Sequence, residues 1–166
     1  MEAEGSTHKI TPHKNTRREA RELILRILFQ IDVGKQPLDQ VIEGALAQSI
    51  LEGSYRKFAE EVARNTWENR SDLDLALREL TPDWTIDRQP AVDRNILRMT
   101  AYEILYRPET PVAAVINEAV ELAKKYSTAE SGRFVNGVLG ALARTIPRGI
   151  SSNPVVSEDT LPSDTD

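Results

Sequence analysis

The 166-residue sequence contains no cysteine, and this absence removes several kinds of chemistry at once. A chain without thiols forms no disulfide, no cysteine-based zinc site and no thiol nucleophile, and its composition fits a reducing compartment. Its two histidines, His8 and His13, both lie within residues 1–15, so no catalytic histidine is expected in the core. The sequence therefore lacks most of what an active site or a metal centre requires.

Long apolar runs and motifs for catalysis or phosphate binding are missing as well. No stretch approaches the ~18 apolar residues of a membrane span, and no signal-peptide pattern opens the chain. Gly132, Gly137 and Gly140 fall within a helical pattern and do not form a phosphate-binding loop. No nucleophile elbow, metalloprotease or kinase signature occurs, and the carboxylates are scattered. We expect a cytoplasmic protein that is not an enzyme and uses no cofactor or metal.

Helical periodicity is what the sequence does contain, over most of its length. Apolar residues recur at i, i+3, i+4 and i+7, and no strand-like alternation occurs, which predicts an all-α fold of about six to seven helices. The first helix is expected to open at the Thr16–Glu19 capping box and to stop at Gly34. Further helices are predicted at about 38–51, 55–80 (with a possible break near Ser71), 92–106 and, as a pair, within 110–144.

The last two predicted helices carry their own end signals. Thr110, followed by a proline, is expected to cap the first of them, and Ser127 opens a capping-box pattern for the second. Gly137 and Gly140 lie inside the second helix, where each costs about 1 kcal/mol relative to alanine. We therefore expect another helix or a partner to approach that helix closely.

The helix predicted at 92–106 is apolar nearly all round and should be the central one. Glu103 lies inside it, and because a buried carboxylate needs partners we expect it to cap a neighbouring helix or to pair with an arginine. Trp84 and Ile86 are expected to pack across the preceding loop.

Charge is unevenly distributed around a net value of −5. By composition, residues 1–15 form a disordered basic arm and residues 147–166 a disordered acidic tail, which leaves residues 16–146 as one helical domain. The negative net charge argues against indiscriminate nucleic-acid binding, but a local part of the surface can still be positively charged.

Three arginines crowd the start of the first helix, where the positive end of the helix dipole disfavours cations. Arg17, Arg18 and Arg21 therefore suggest a nearby anion, with Lys14 of the arm as a further cation. The plain alternative is a solvated basic face, because charge runs are usually no more than that.

Two apolar residues, Leu25 and Phe29, fall off the core stripe of the same helix at roughly 100° per residue. They indicate either a contact with a partner protein or coverage by another helix of the chain.

Several blocks of the chain resemble the family of the bacterial transcription antitermination factor NusB. They are RREAR at 17–21, VDRNILR at 92–98, YE at 102–103, INEAVELAK at 116–124 and FVNGVL at 134–139. The resemblance spans about residues 16–144, and its last two blocks together are specific. It implies two small helical bundles that bind boxA RNA together with ribosomal protein S10. Such proteins join other Nus factors to make RNA polymerase resist termination, notably on rRNA operons.

The resemblance also implies roles for individual residues. Arg17, Arg18 and Arg21 match the RNA-binding arginine-rich motif, and positions near the RNA are matched by Glu130, Arg133 and Phe134. Phe29 matches an aromatic position at the S10 contact, and Asp93 and Arg98 match charged positions on that same side. Leu25 joins this predicted partner surface by its position on the helix beside Phe29. The chain departs from the family pattern at residues 24–26, where a small residue and a glutamine are common, and its arginine cluster is shorter.

The same residues suit single-stranded RNA on physical grounds. Arginines bind phosphates, and bases stack on aromatic rings, for which Phe134 is a candidate unless it packs into the core. A few cations on an acidic protein should bind RNA modestly, so a basic partner such as S10 would complete the site. Two alternatives remain: a helical adaptor or dimerising module without an RNA role, and the RNA-binding domain of an rRNA cytosine methyltransferase, which we disfavour because no methyltransferase region follows.

Overall fold

The computed structural model describes residues 16–81 and 88–147. Within these ranges the chain forms seven α-helices and no strand, which confirms the all-α prediction. The helices are α1 (Arg17–Asp32), α2 (Leu38–Gln48), α3 (Gly53–Glu68), α4 (Arg70–Leu80), α5 (Ala91–Tyr106), α6 (Val112–Tyr126) and α7 (Ala129–Thr145). The basic arm, the acidic tail beyond Pro147, Trp84 and Ile86 lie outside the described residues.

The helices form two groups that meet at α5. Helices α1, α2 and α3 pack against one another, whereas α5 packs against α1 and α3 on one side and against α4, α6 and α7 on the other. Every residue from 95 to 104 is buried, as expected for the central helix. The arrangement is that of two small bundles sharing one core. No helix in the described ranges is long and apolar enough to cross a membrane.

Local signals set the ends of α1 and the break after α3. Thr16 Oγ1 accepts a hydrogen bond from the backbone N–H of Glu19 at 3.2 Å, which confirms the predicted cap of α1. The pattern from 55 to 80 is two helices, with the break at Asn69, two residues before Ser71, which confirms the predicted break. The Asn69 side chain donates to the Asn65 carbonyl at 2.8 Å, so it satisfies one carbonyl at the end of α3.

The predicted caps of α6 and α7 are each one residue early. Pro111 occupies the cap position of α6 and makes no side-chain cap bond, because Thr110 still belongs to the turn after α5. Thr128 caps α7 by accepting from the Ser131 N–H at 3.0 Å. Ser127 cannot do so, because the α6–α7 connection is so short that Ser127 ends α6.

The glycines of α7 do not have the close neighbours that the sequence suggested. A Cβ placed on Gly137 would meet no atom of another element within 4 Å, and one on Gly140 would meet only the Arg144 side chain at 3.7 Å. Among the described residues, no second helix therefore requires these glycines, and approach by a partner stays a prediction.

A buried ion pair joins α1 to α5 at the centre of the molecule. Arg21 Nε and Nη2 donate to Glu103 Oε2 and Oε1, each at 2.9 Å, and both side chains are buried. The expected pairing of Glu103 with an arginine is confirmed. The same geometry corrects the assignment of Arg21 to the RNA-binding surface, because its guanidinium lies inside the protein and is already occupied.

We predict that Arg21→Ala lowers the free energy of unfolding by about 3–5 kcal/mol, because it leaves the Glu103 carboxylate buried without a partner. Urea unfolding followed by circular dichroism measures the change. The double variant Arg21→Met, Glu103→Leu should recover most of the loss, since it removes both charges and keeps the volume. A loss below about 1 kcal/mol for Arg21→Ala would contradict a dry, tightly coupled pair.

Candidate nucleic-acid and protein interface

The first turn of α1 displays two arginines that point to different neighbours. Arg17 places its guanidinium carbon 4.0 Å from the centroid of the Phe58 ring on α3. Arg18 reaches α6, where its Nε and Nη2 donate to the two carboxylate oxygens of Glu118 at 3.1 and 3.2 Å. Both arginines are exposed, so they remain accessible to an anion.

Cations surround the Phe58 ring. The guanidinium carbons of Arg17, Arg21 and Arg107 lie 4.0, 5.6 and 5.1 Å from its centroid. A ring face attracts a guanidinium without neutralising it. Arg17 is therefore held in place while its charge still faces solvent.

Glu118 influences the second arginine without removing it from the surface. The hydrogen bonds from Arg18 to this carboxylate, followed by their charge attraction, raise the pKa of Arg18 above its ordinary value. Arg18 therefore stays cationic at any physiological pH. An exposed ion pair of this kind contributes little to stability, so Glu118 can be exchanged for another anion at small cost.

The predicted residues of α7 lie at the beginning of that helix. Glu130 and Arg133 are exposed, whereas Phe134 is half-buried and packs against the core. The turn is anchored to α5, because Ser131 Oγ donates to Asp93 Oδ2 at 2.8 Å. Phe134 thus has a packing role, and stacking of its exposed part on RNA stays a prediction.

The apolar surface near the end of α1 is smaller than predicted. Phe29 is exposed, and the neighbouring Val33 at the end of the helix is exposed as well. Leu25 is buried in the core, so the expectation that it reaches a partner is corrected. The cause is that α1 packs against α2, α3 and α5 and buries a wider arc than its apolar stripe suggested.

Asp93 and Arg98, expected at the partner contact, are both buried and bonded within the chain. Asp93 accepts from Ser131, as described above. Arg98 donates to both carboxylate oxygens of Asp74 on α4, at 2.8 and 2.9 Å. These two residues therefore hold helices together, and they lie inside the protein where the prediction had expected them on its surface; a role at the partner contact stays a prediction.

Arg98 belongs to a network that sequence reasoning missed. Asp32, the last residue of α1, accepts from Arg94 Nε at 2.6 Å, from Asn95 Nδ2 at 2.9 Å and from Arg98 Nη1 at 3.3 Å. The network joins α1, α4 and α5, and it positions the end of α1 that displays Phe29. One signal was available: Asp74 lies beside the Leu73–Leu77 stripe of α4, about 60° from Leu77 at roughly 100° per residue.

Residues 18–144 match the sequence model of the NusB family. The transcription antitermination protein NusB of Symbiobacterium thermophilum is 38% identical over 152 residues, which cover 87% of this chain and 99% of that protein. The protein of the same name from Chloroflexus aggregans is 41% identical over 128 residues, which cover 76% of this chain and 85% of that protein.

Solved structures share the helical arrangement. T. maritima NusB superposes with a TM-score of 0.74 at 34% identity, covering 79% of this chain and 92% of that one. A crystal structure of antitermination factors NusB and NusE in complex with dsRNA matches with a TM-score of 0.72 over 78% of this chain and 97% of that one. Its identity is 24%, so it bears on the fold alone.

Asp32 should make the free energy of unfolding depend on pH in the acidic range. Burial alone would raise its pKa, but hydrogen bonds from Arg94 and Asn95, with the charges of Arg94 and Arg98, bring the pKa below its ordinary value. A carboxylate of this kind stabilises the folded state above its unfolded pKa of about 4, and the contribution disappears as the pH falls through the folded pKa.

We therefore predict that the wild-type protein loses more stability between about pH 5 and pH 2 than Asp32→Asn does. Urea unfolding at a series of pH values measures both profiles. Asp39→Asn, which alters an exposed carboxylate paired with Arg64, is the matched control and should follow the wild-type profile. Parallel wild-type and Asp32→Asn profiles would remove Asp32 from the acid response.

Proposed function

The chain belongs to the NusB family, and from that premise we propose that it is an RNA-binding transcription antitermination factor. In this proposal it binds boxA-type single-stranded RNA together with ribosomal protein S10. With other Nus factors it then helps RNA polymerase resist termination, notably on rRNA operons, as a cytoplasmic protein.

The observation that carries the proposal is the pair of exposed arginines at the beginning of α1. The helix dipole disfavours cations at that end, so their placement is explained best by an anion that binds there. Seen along the axis of α1, Arg17 and Arg18 lie on either side of the buried Arg21, and both are exposed to solvent. A phosphate group of RNA is an anion of the right kind.

Two arginines alone make a weak site. The affinity of a protein for nucleic acid follows the number of phosphates that it neutralises, and burial of Arg21 leaves one cation fewer than the sequence suggested. A basic partner that binds alongside would add the missing phosphate contacts. We infer that RNA and S10 bind this protein cooperatively, because each supplies part of the surface that the other needs.

The exposed Phe29 suits the protein side of such an assembly. Exposed aromatic residues are enriched in protein interfaces, and this one lies on a helix whose end is held rigidly by the Asp32 network. Because Phe29 is eleven residues beyond Arg18 on the same helix, S10 and RNA would occupy different ends of α1.

We predict that the variant Arg17→Ala, Arg18→Ala binds boxA-type RNA more weakly and with a flatter salt dependence. The slope of log K against log salt should fall by about 1.4, at about 0.7 for each phosphate contact on a single strand. Fluorescence anisotropy titrations at several salt concentrations measure both quantities. Arg78→Gln, which removes an exposed arginine of α4, is the control. Unchanged affinity and slope in the double variant would take these arginines out of the site.

We also predict that Phe29→Ala weakens binding of S10 and leaves the melting temperature close to that of the wild type. The exposed ring adds little to the core, but it supplies apolar contact area to a partner. Calorimetric titration with purified S10 measures the affinity, and Ile50→Ala is the control because Ile50 is an exposed apolar residue of the α2–α3 connection. A large drop in melting temperature would identify Phe29 as a packing residue.

A further inference from the structure

The corner between α6 and α7 lies between the two groups of residues assigned to RNA. Arg18 meets Glu118 near the middle of α6, and Lys125 at the end of α6 meets Glu22 of α1 at 2.7 Å, so two ion pairs link the helices in the same chain direction. From Glu118 to Tyr126 the helix rises about 12 Å. A bound strand that reaches from the start of α1 to the start of α7 must therefore pass this corner.

Both ion pairs between α1 and α6 present their cation to solvent. The Arg18 side chain is 60% exposed against 26% for Glu118, and the Lys125 side chain is 59% exposed against 15% for Glu22. In both pairs the carboxylate is closer to the protein interior and the cation is closer to solvent. An approaching anion therefore meets these two cations first, although each pair is neutral as a whole and the exposed Glu121 borders the same groove.

Tyr126 supplies an aromatic ring at the same corner. It is the last residue of α6 and is 40% exposed, and the Lys125 ammonium lies 5.3 Å from its ring centroid. Phe134, in contrast, packs partly against the core. An exposed ring beside a cation is the arrangement that holds single-stranded nucleic acid, because the base stacks while its phosphate pairs with the cation.

The corner is built rigidly, which lowers the entropy lost on binding. Ser127 Oγ lies 2.9 Å from Ser131 Oγ, and Ser131 in turn donates to Asp93 of α5. The stem of Lys124 crosses the first turn of α7 at Gly132, where an added Cβ would come within 3.0 Å of Lys124 Cγ. The absence of a side chain at Gly132 thus lets the side chains of α6 lie close against the first turn of α7.

We propose that Tyr126 stacks on a base of the bound RNA and that Lys125 binds an adjacent phosphate. The phosphate then replaces Glu22 as the partner of the Lys125 ammonium. This inference rests on the proposed function and adds two residues to the same site. It extends the RNA path from Arg17 and Arg18 across the α6–α7 corner to the start of α7.

The stacking step is tested with single-stranded boxA-type RNA that carries 2-aminopurine in place of one adenine at a time. Tyr126→Leu should weaken binding of the full-length protein roughly tenfold and abolish the fluorescence change at one position of the RNA. Tyr126→Phe keeps the ring and should retain both affinity and fluorescence change. Wild-type affinity and an unchanged fluorescence response for Tyr126→Leu would overturn the stacking role.

The phosphate step is tested by removing the two partners of one ion pair separately. Lys125→Gln should weaken RNA binding and lower the salt slope by about 0.7. Glu22→Gln should tighten binding. The Lys125 ammonium then has no carboxylate partner, so a phosphate can bind it without breaking an ion pair. Arg78→Gln again serves as the control for loss of one positive charge. If both variants lower the melting temperature and leave RNA affinity unchanged, the pair is only a brace between helices.

The outcomes separate this inference from the proposed function. If the protein alone and with S10 binds no RNA, or Arg17→Ala, Arg18→Ala has no effect, the RNA site itself is wrong and the corner proposal fails with it. If those arginines matter while Tyr126→Leu and Lys125→Gln behave as the wild type, the function stands and only the corner is overturned.

Discussion

The buried pair of Arg21 and Glu103 is the constraint on which the rest of the structure depends. Two charges in a dry interior must face each other closely, so the bidentate contact sets the rotation of α1 about its axis. At roughly 100° per residue, Arg17 and Arg18 then lie about 40° and 60° to either side of Arg21. The same rotation directs Arg17 to the Phe58 ring and Arg18 to Glu118 on α6.

Charge also holds the other end of α1. Asp32 accepts from three residues of α5, and Arg98 carries the connection on to Asp74 of α4. Between these two polar anchors the buried residues of the helix are all apolar, and Glu22 forms a surface ion pair with Lys125 of α6. Because polar contacts fix both ends of α1, the exposed residues near each end are held in defined positions.

An acidic protein can still offer a positive surface when it places its carboxylates below its cations. Glu22 and Glu118 lie in the seam between α1 and α6, and their partners Lys125 and Arg18 lie on top. Under the proposed function such a surface binds RNA weakly, since each cation must leave a carboxylate to meet a phosphate. Weak binding suits a factor whose RNA affinity is completed by a protein partner, because neither ligand alone assembles the complex.

The sequence by itself determined the helices, their apolar stripes and the family, and it indicated that Glu103 needs a buried partner. These depend on residue spacing within one helix and on blocks read along the chain. Only the tertiary structure decided that Arg21, Leu25, Asp93 and Arg98 point inward. Periodicity reports the angular position of a residue on its helix, but the width of the buried arc depends on how many other helices pack against it. Helices α1 and α5 each meet three or more neighbours, so residues beside their stripes are enclosed too.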